Sequence, residues 1–180
     1  MKKSDTTLAG VLLLEPSVFR DDRGFFLESY NEREFAKLGI PEHFVQDNHS
    51  FSTRNVLRGL HYQVGRPQGK LIRAVTGAIL DVALDLRRSS DTFGKWQTFV
   101  LSADNKHMLW IPAGCAHGFR VISDNANVTY KATAFYAPEQ ERTVAWNDPQ
   151  LKIDWQLDGA PIVSAKDQHA KSFEESEKFD

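Results

Sequence analysis

The chain has 180 residues, 41% of them hydrophobic and 26% charged, and a net charge of −2. These values describe one ordinary globular domain and exclude a general basic field for nucleic acid, so any phosphate site must be local. Cys115 is the only cysteine, which excludes an internal disulfide and a CxxC metal site, and no apolar run reads as a signal peptide or approaches the ~18 residues of a membrane span.

A cytoplasmic protein with no nucleic-acid and no membrane partner is expected. Residues 1–7 are polar and expected to fray. A strand is predicted over 11–15, a turn over 20–24 and a strand over 25–30, with Phe26, Glu28 and Tyr30 on one face. Residues 31–38 form the clearest helix, with Asn31 as N-cap, Glu34 completing a capping box, and Gly39 with Pro41 as the stop. Further strands are predicted over 44–51, 56–62, 71–76, 78–86, 96–102, 108–111, 118–122 and 127–136. After Ala137-Pro138-Glu139 the pattern weakens. A short helix is predicted over 164–173, capped by Ser164 with Asp167 at the capping-box position. The expected organisation is a single domain over 1–180, with its core at about 8–167 and a charged, solvated tail over 168–180. Many short strands with turn signals between them, and one early helix, predict an all-β sandwich or barrel of jelly-roll type. The absence of βαβ alternation and of a glycine-rich phosphate loop argues against a Rossmann fold.

Residues 55–70 concentrate the chemistry: Arg58, His61 and Lys70 lie on a strand-loop-strand stretch. A guanidinium, an imidazole and an ammonium together suit an anionic ligand and proton transfer. His117 follows in Ile-Pro-Ala-Gly-Cys-Ala-His-Gly-Phe, whose Pro-x-Gly-x-x-His spacing resembles the second cupin motif. The first cupin motif offers His-x-His, but here Gln63 stands two residues after His61 and is a poor ligand. A divalent ion wants three or four protein ligands, so a metal is disfavoured and acid-base chemistry is preferred. His61 is a suitable base. It needs an orienting carboxylate, for which Asp167 is one candidate. Lys70 could stabilise an oxyanion. Tyr130 shares a small apolar face with Val128, Ala132 and Ala134, as a packed tyrosine or as an acid. Strict alternation puts Arg58 and His61 on opposite faces, so service to one ligand requires a bulge, with Gly59 the natural place.

Several motifs resemble one family, the dTDP-4-dehydrorhamnose 3,5-epimerases. They are Arg23-Gly24-Phe25-Phe26-x-Glu28-Ser29, Phe44-Val45-Gln46-Asp47-Asn48-His49-Ser50, Val56-Leu57-Arg58-Gly59-Leu60-His61-Tyr62-Gln63 and Gln68-Gly69-Lys70-Leu71. Ser102-Ala103-x-Asn105-Lys106, Trp110-Ile111-Pro112, Ala116-His117-Gly118-Phe119, Tyr130-Lys131 and Ser164-Ala165-Lys166-Asp167 continue the series, in the family's order, from about residue 11 to 167. Cys115 stands where the family has Phe, the loop before Gln68 is a residue shorter, and Gln156 replaces the common Pro after Trp155.

The resemblance implies a cupin-like jelly roll without metal or cofactor, a dTDP-sugar substrate, and a homodimer with exchanged N-terminal strands. It implies that His61 is the base in a dyad with Asp167, that Lys70 steadies an enolate, and that Tyr130 returns a proton on the opposite face. Arg58 would hold the diphosphate, while Arg23, Glu28, Gln46, Asp47 and Asn48 would line the nucleotide end. His117, Glu141 and Lys166 would complete the pocket. The competing readings are a 3-epimerase of the same fold, a metal-dependent cupin oxygenase built on His61 and His117, and a non-catalytic sugar-nucleotide binder.

Overall fold

Short amphipathic strands fold here because each buries a face against another sheet or a covering segment. The computed structural model describes residues 1–40 and 43–180, so the expected stop at Pro41 lies outside the described residues. Strands β1 (Lys2–Asp5), β2 (Leu12–Glu15), β3 (Val18–Asp21) and β4 (Gly24–Leu27) precede helix α1 (Glu32–Lys37). Then come β5 (Gln46–Thr53), β6 (Leu57–Gln63), β7 (Lys70–Thr76), β8 (Ala78–Asp85), β9 (Trp96–Ser102), β10 (Met108–Ile111), β11 (Cys115–Val121) and β12 (Asn125–Ala132). A 3-10 turn (Pro138–Gln140), β13 (Glu141–Thr143) and helix α2 (Ala165–Gln168) complete the order.

One sheet has six strands in the order β1-β2-β10-β7-β12-β5, and a second has five in the order β13-β6-β11-β8-β9. Ile72, Ala74 and Val128 of the first share one buried cluster with Ile79, Ala83, Phe99, Phe119 and Val121 of the second. The other face of the five-stranded sheet is covered too. There Leu57, Leu60, Val82 and Leu84 join Val144, Leu151, Trp155 and Phe173 from the C-terminal third. Phe35 and Ile40 seal part of the outer face of the six-stranded sheet, against Leu12, Leu14, Leu71 and Trp110. Both faces of β8 are therefore buried, and its alternating residues Ile79 to Leu84 serve two cores. This is the expected all-β jelly-roll sandwich, cupin-like, with a short early helix and a short late one. No described helix is long and apolar enough to cross a membrane.

The chain departs from the expected elements in several places. Residues 2–5 do not fray, because β1 pairs antiparallel with β2. The expected turn over 20–24 is narrower: Arg20 and Asp21 belong to β3, which pairs with β4 around Asp22 and Arg23. That strand ends at Leu27, so Glu28 and Tyr30 lie beyond it. Asn31 caps α1 through Arg33 and Glu34 N–H, but the Glu34 carboxylate turns to Lys37 at 2.7 Å, so the capping box stays half made. β12 stops at Ala132 rather than 136, and α2 is a single turn rather than ten residues.

The charged side chains of the tail are mostly exposed, as expected, but the tail itself is anchored to the sheet. Asp148 accepts the Phe173 N–H, Tyr62 O–H donates to the Glu177 carbonyl, and Phe179 N–H donates to the Leu86 carbonyl. Phe173 is 7% exposed and packs on Phe93. Phe173→Ala should lower unfolding stability by about 3 kcal/mol, measured by urea titration. A loss below about 1 kcal/mol would mean that the tail adds nothing to the core.

Candidate active site

The site begins at Gly59. On β6, Arg58 and His61 are three residues apart, yet they face Phe119 and His117 of β11, which are two apart. The extra residue is a bulge, as the sequence requires if Arg58 and His61 share a ligand. Gly59 has φ +120°, and a Cβ there would stand 2.6 Å from Gly118 Cα and 2.7 Å from the His117 carbonyl oxygen. The peptide from Gly59 to Leu60 is cis. The two strands touch backbone to backbone where no side chain fits, and Arg58 and His61 turn into the same cavity. That cavity, of about 180 Å³, is also lined by Lys70, His117, Tyr130 and Glu141.

The cavity is strongly polar inside an apolar frame. His61 Nε2 lies 2.6 Å from Asp167 Oδ1, and the Asp167 side chain is only 2% exposed. Helix α2 delivers this carboxylate: Ser164 Oγ accepts the Asp167 N–H at 3.1 Å. Asp167 then points to His61 and to the Gly59 N–H instead of closing a capping box. Burial works against its charge, but the hydrogen bonds from His61, Gly59 and Ser164 outweigh burial and hold the carboxyl below its usual value.

Lys70 opens β7 and is buried, with Nζ 3.4 Å from the His61 carbonyl. Desolvation lowers its pKa to about 8, although Glu141 and Asp81 favour the charge. Tyr130 sits on the inner face beside Val128 and Ala132, and burial first, then Glu141, raises its pKa and keeps the phenol protonated. His117 Nε2 meets Asp81 Oδ2 at 2.8 Å, both buried. Burial raises the Asp81 pKa and His117 only partly offsets this. At the rim, Glu141 meets Lys166 at 2.6 Å and accepts the Tyr136 O–H at 2.8 Å. Burial opposes ionisation of Glu141, and these two partners nevertheless hold its pKa below the usual range.

The remaining expected residues spread more widely. Gln46 bonds Asn48 at 2.9 Å, and Asp47 pairs with Lys131 at 2.9 Å. Asp47 and Asn48 line a second hollow of about 330 Å³ with Ser29, Arg73, Tyr130 and Lys131. Arg23 lies at the β3–β4 tip paired with Asp21, and Glu28 bonds Asn31. Neither Arg23 nor Glu28 lines the cavity of its own chain. Sequence reasoning missed Tyr136, Ser50 and Phe119 as lining residues and Asp81 as the partner of His117. The one available signal was the acidic Asp81 on a strand otherwise apolar at that point. Among the described residues, no group of three or more His, Cys, Asp and Glu side chains is arranged to hold a metal ion.

The lowered pKa of Lys70 has a consequence for stability. The unfolded chain binds this proton more tightly, so folding carries a penalty below pH 8 that is relieved as pH rises from about 8 towards 10.5. Lys70→Met should therefore stabilise the fold at pH 7 by roughly 1–3 kcal/mol and lose most activity. Urea titration at pH 7 and pH 9.5 checks this, and the gain should shrink at the higher pH. A destabilised variant at pH 7 would contradict it.

A jelly roll whose cavity sets a carboxylate-paired imidazole, a buried lysine and a buried phenol around one space defines an acid-base enzyme of the cupin-like class. The dTDP-4-dehydrorhamnose 3,5-epimerase family matches residues 5–175. The dTDP-4-dehydrorhamnose 3,5-epimerase of Pseudomonas aeruginosa is 57% identical over 180 residues, covering 99% of each chain. The crystal structure of dTDP-6-deoxy-D-glucose-3,5-epimerase from Legionella pneumophila, in complex with dTDP-4-keto-L-rhamnose, superposes with TM-score 0.95 at 44% identity, covering 98% of this chain and 94% of that one. A 3'-monoepimerase from Streptomyces bikiniensis in complex with dTDP-quinovose is more distant, with TM-score 0.86 and 32% identity over 93% of this chain and 85% of that one. The chain belongs to the dTDP-4-dehydrorhamnose 3,5-epimerase family.

Proposed function

We propose that this isomerase epimerises C3 and C5 of dTDP-4-dehydro-6-deoxy-D-glucose, giving dTDP-4-dehydro-L-rhamnose for dTDP-L-rhamnose biosynthesis. The observation that carries the reading is the convergence of the His61–Asp167 pair, Lys70 and Tyr130 on one cavity. The C4 ketone acidifies the protons on C3 and C5. His61 removes one of them, and Asp167 stabilises the imidazolium that forms. Negative charge moves to the C4 oxygen, where the Lys70 ammonium offsets it. Tyr130 returns a proton to the same carbon from the opposite face, and solvent restores both groups. Only protons move and no carbon changes oxidation state, so the reaction needs no cofactor. Arg58 holds the diphosphate, and Gln46, Asp47 and Asn48 serve the nucleotide end. His117 supports the sugar pocket with Glu141 and Lys166.

His61→Asn keeps the imidazole's approximate size and removes its basicity. It should fold normally and lose turnover by at least a thousandfold, of the order expected for a missing general base. Near wild-type turnover would defeat the assignment. The second reading, epimerisation at C3 alone, is favoured only by the likeness to the Streptomyces bikiniensis monoepimerase.

The same reading places one jelly-roll domain in the cytoplasm as a homodimer with exchanged N-terminal strands. It is supported by the β3–β4 hairpin, where Phe19, Phe25 and Phe26 are 64%, 54% and 69% exposed, an unusual expense of apolar surface for a monomer. Exchange would carry Arg23 and Glu28 into the partner's site. Arg23→Ala and His61→Asn proteins, each weakly active, should then recover about a quarter of wild-type activity when unfolded together and refolded, because half the dimers hold one intact site. No recovery would exclude a shared site.

A further inference from the structure

We propose that Gln63 is a positioning residue of the sugar-nucleotide site, latching together the two loops that border the cavity; this rests on the epimerase reading above. Gln63 ends β6 and is 2% exposed. A buried amide is costly unless its polar atoms are bonded, and this one is bonded to backbone in three places. Its Nε2 donates to the Arg66 carbonyl at 2.8 Å and to the Phe135 carbonyl at 3.2 Å, and its Oε1 accepts from Ala137 N–H at 2.9 Å. Arg66 belongs to the loop between β6 and β7. Phe135 and Ala137 belong to the segment between β12 and the 3-10 turn. One side chain thus joins two loops that are otherwise 64 or more residues apart in sequence.

The two residues grasped in the second loop flank Tyr136. The Tyr136 N–H donates to Gln46 Oε1 at 2.8 Å, and its phenol lines the cavity and reaches Glu141. Packing fixes little of this segment, since only Ala137 is buried while Phe135 is 63% and Tyr136 51% exposed, and no helix or strand runs through 133–137. Gln68 ties the same two loops through the Ala134 carbonyl, and Gly69 does so through Thr133. Those bonds hold the root of the segment, and Gln63 holds its tip. Only a neutral amide offers two donors to two carbonyls and an acceptor to an N–H. A glutamate of the same shape keeps the acceptor and, when ionised, turns negative charge on both carbonyls. When protonated it regains one donor.

The test compares full-length Gln63→Glu and Gln63→Met with the wild type, using steady-state kinetics from pH 6 to 9 and amide exchange at Ala137 by NMR. KM for the dTDP-sugar should rise at least tenfold in both variants while kcat falls less than threefold. In the Glu variant KM should fall back towards wild type at the acid end, whereas the ratio of Met-variant to wild-type KM should not change with pH. Ala137 N–H should exchange at least tenfold faster in the Met variant. An unchanged KM, or loss confined to kcat, would overturn the proposal. So would Ala137 exchange equal to wild type, and this readout stands even if wild type shows no turnover, the result that would defeat the epimerase reading instead. Should the Met variant fail to fold, the acid recovery of the Glu variant decides.

Discussion

The hydrogen bond between His61 and Asp167 organises the rest of the molecule. It joins residues 106 apart in sequence at 2.6 Å, so it exists only when β6 and the C-terminal helix α2 are both in place. A bulge at Gly59 turns the imidazole into the cavity, and Ser164 caps the short helix that presents the carboxylate. The C-terminal segments pack on the outer face of the five-stranded sheet through Trp155, Phe173 and their neighbours. That layer therefore belongs to the architecture of the candidate site, since it fixes where Asp167 stands.

Around this pair the fold concentrates groups that burial disfavours. Lys70 and Asp81 both lie inside, with pKa values moved towards their neutral forms by desolvation. A core built for stability alone would place apolar side chains there. Their positions make sense for a site that must accommodate negative charge on a substrate oxygen and supply a proton nearby. The apolar cluster between the sheets supplies the rigidity that holds these groups, and it brings the inner faces of β7, β8, β11 and β12 to one end of the sandwich.

Much of this was legible in the residues. Period-two alternation located most strands and the sandwich, because a strand with one face buried writes that period directly. The conflict between Arg58 and His61 in that same alternation pointed to the bulge at Gly59. Short or exposed strands escaped. β1 and β3 carry too few apolar residues for a pattern, and β13 has three residues whose pairing with β6 is entirely tertiary. The tail's charges are solvated as its composition suggests, but its attachment was hidden, because its anchors are single aromatic residues and backbone hydrogen bonds that composition does not reveal. Asp81 and Gln63 were hidden for a related reason. Their partners, His117 and the two loops, are distant in sequence, and only the folded chain brings them together.

The central claim is that one cavity removes and returns protons at two carbons beside a ketone. Incubating the protein with dTDP-4-dehydro-6-deoxy-D-glucose in heavy water, with a chelator present, and following the sugar by NMR tests this directly. Deuterium is expected at both C3 and C5. Exchange at C3 alone, or at neither carbon from protein shown to be folded, would contradict it.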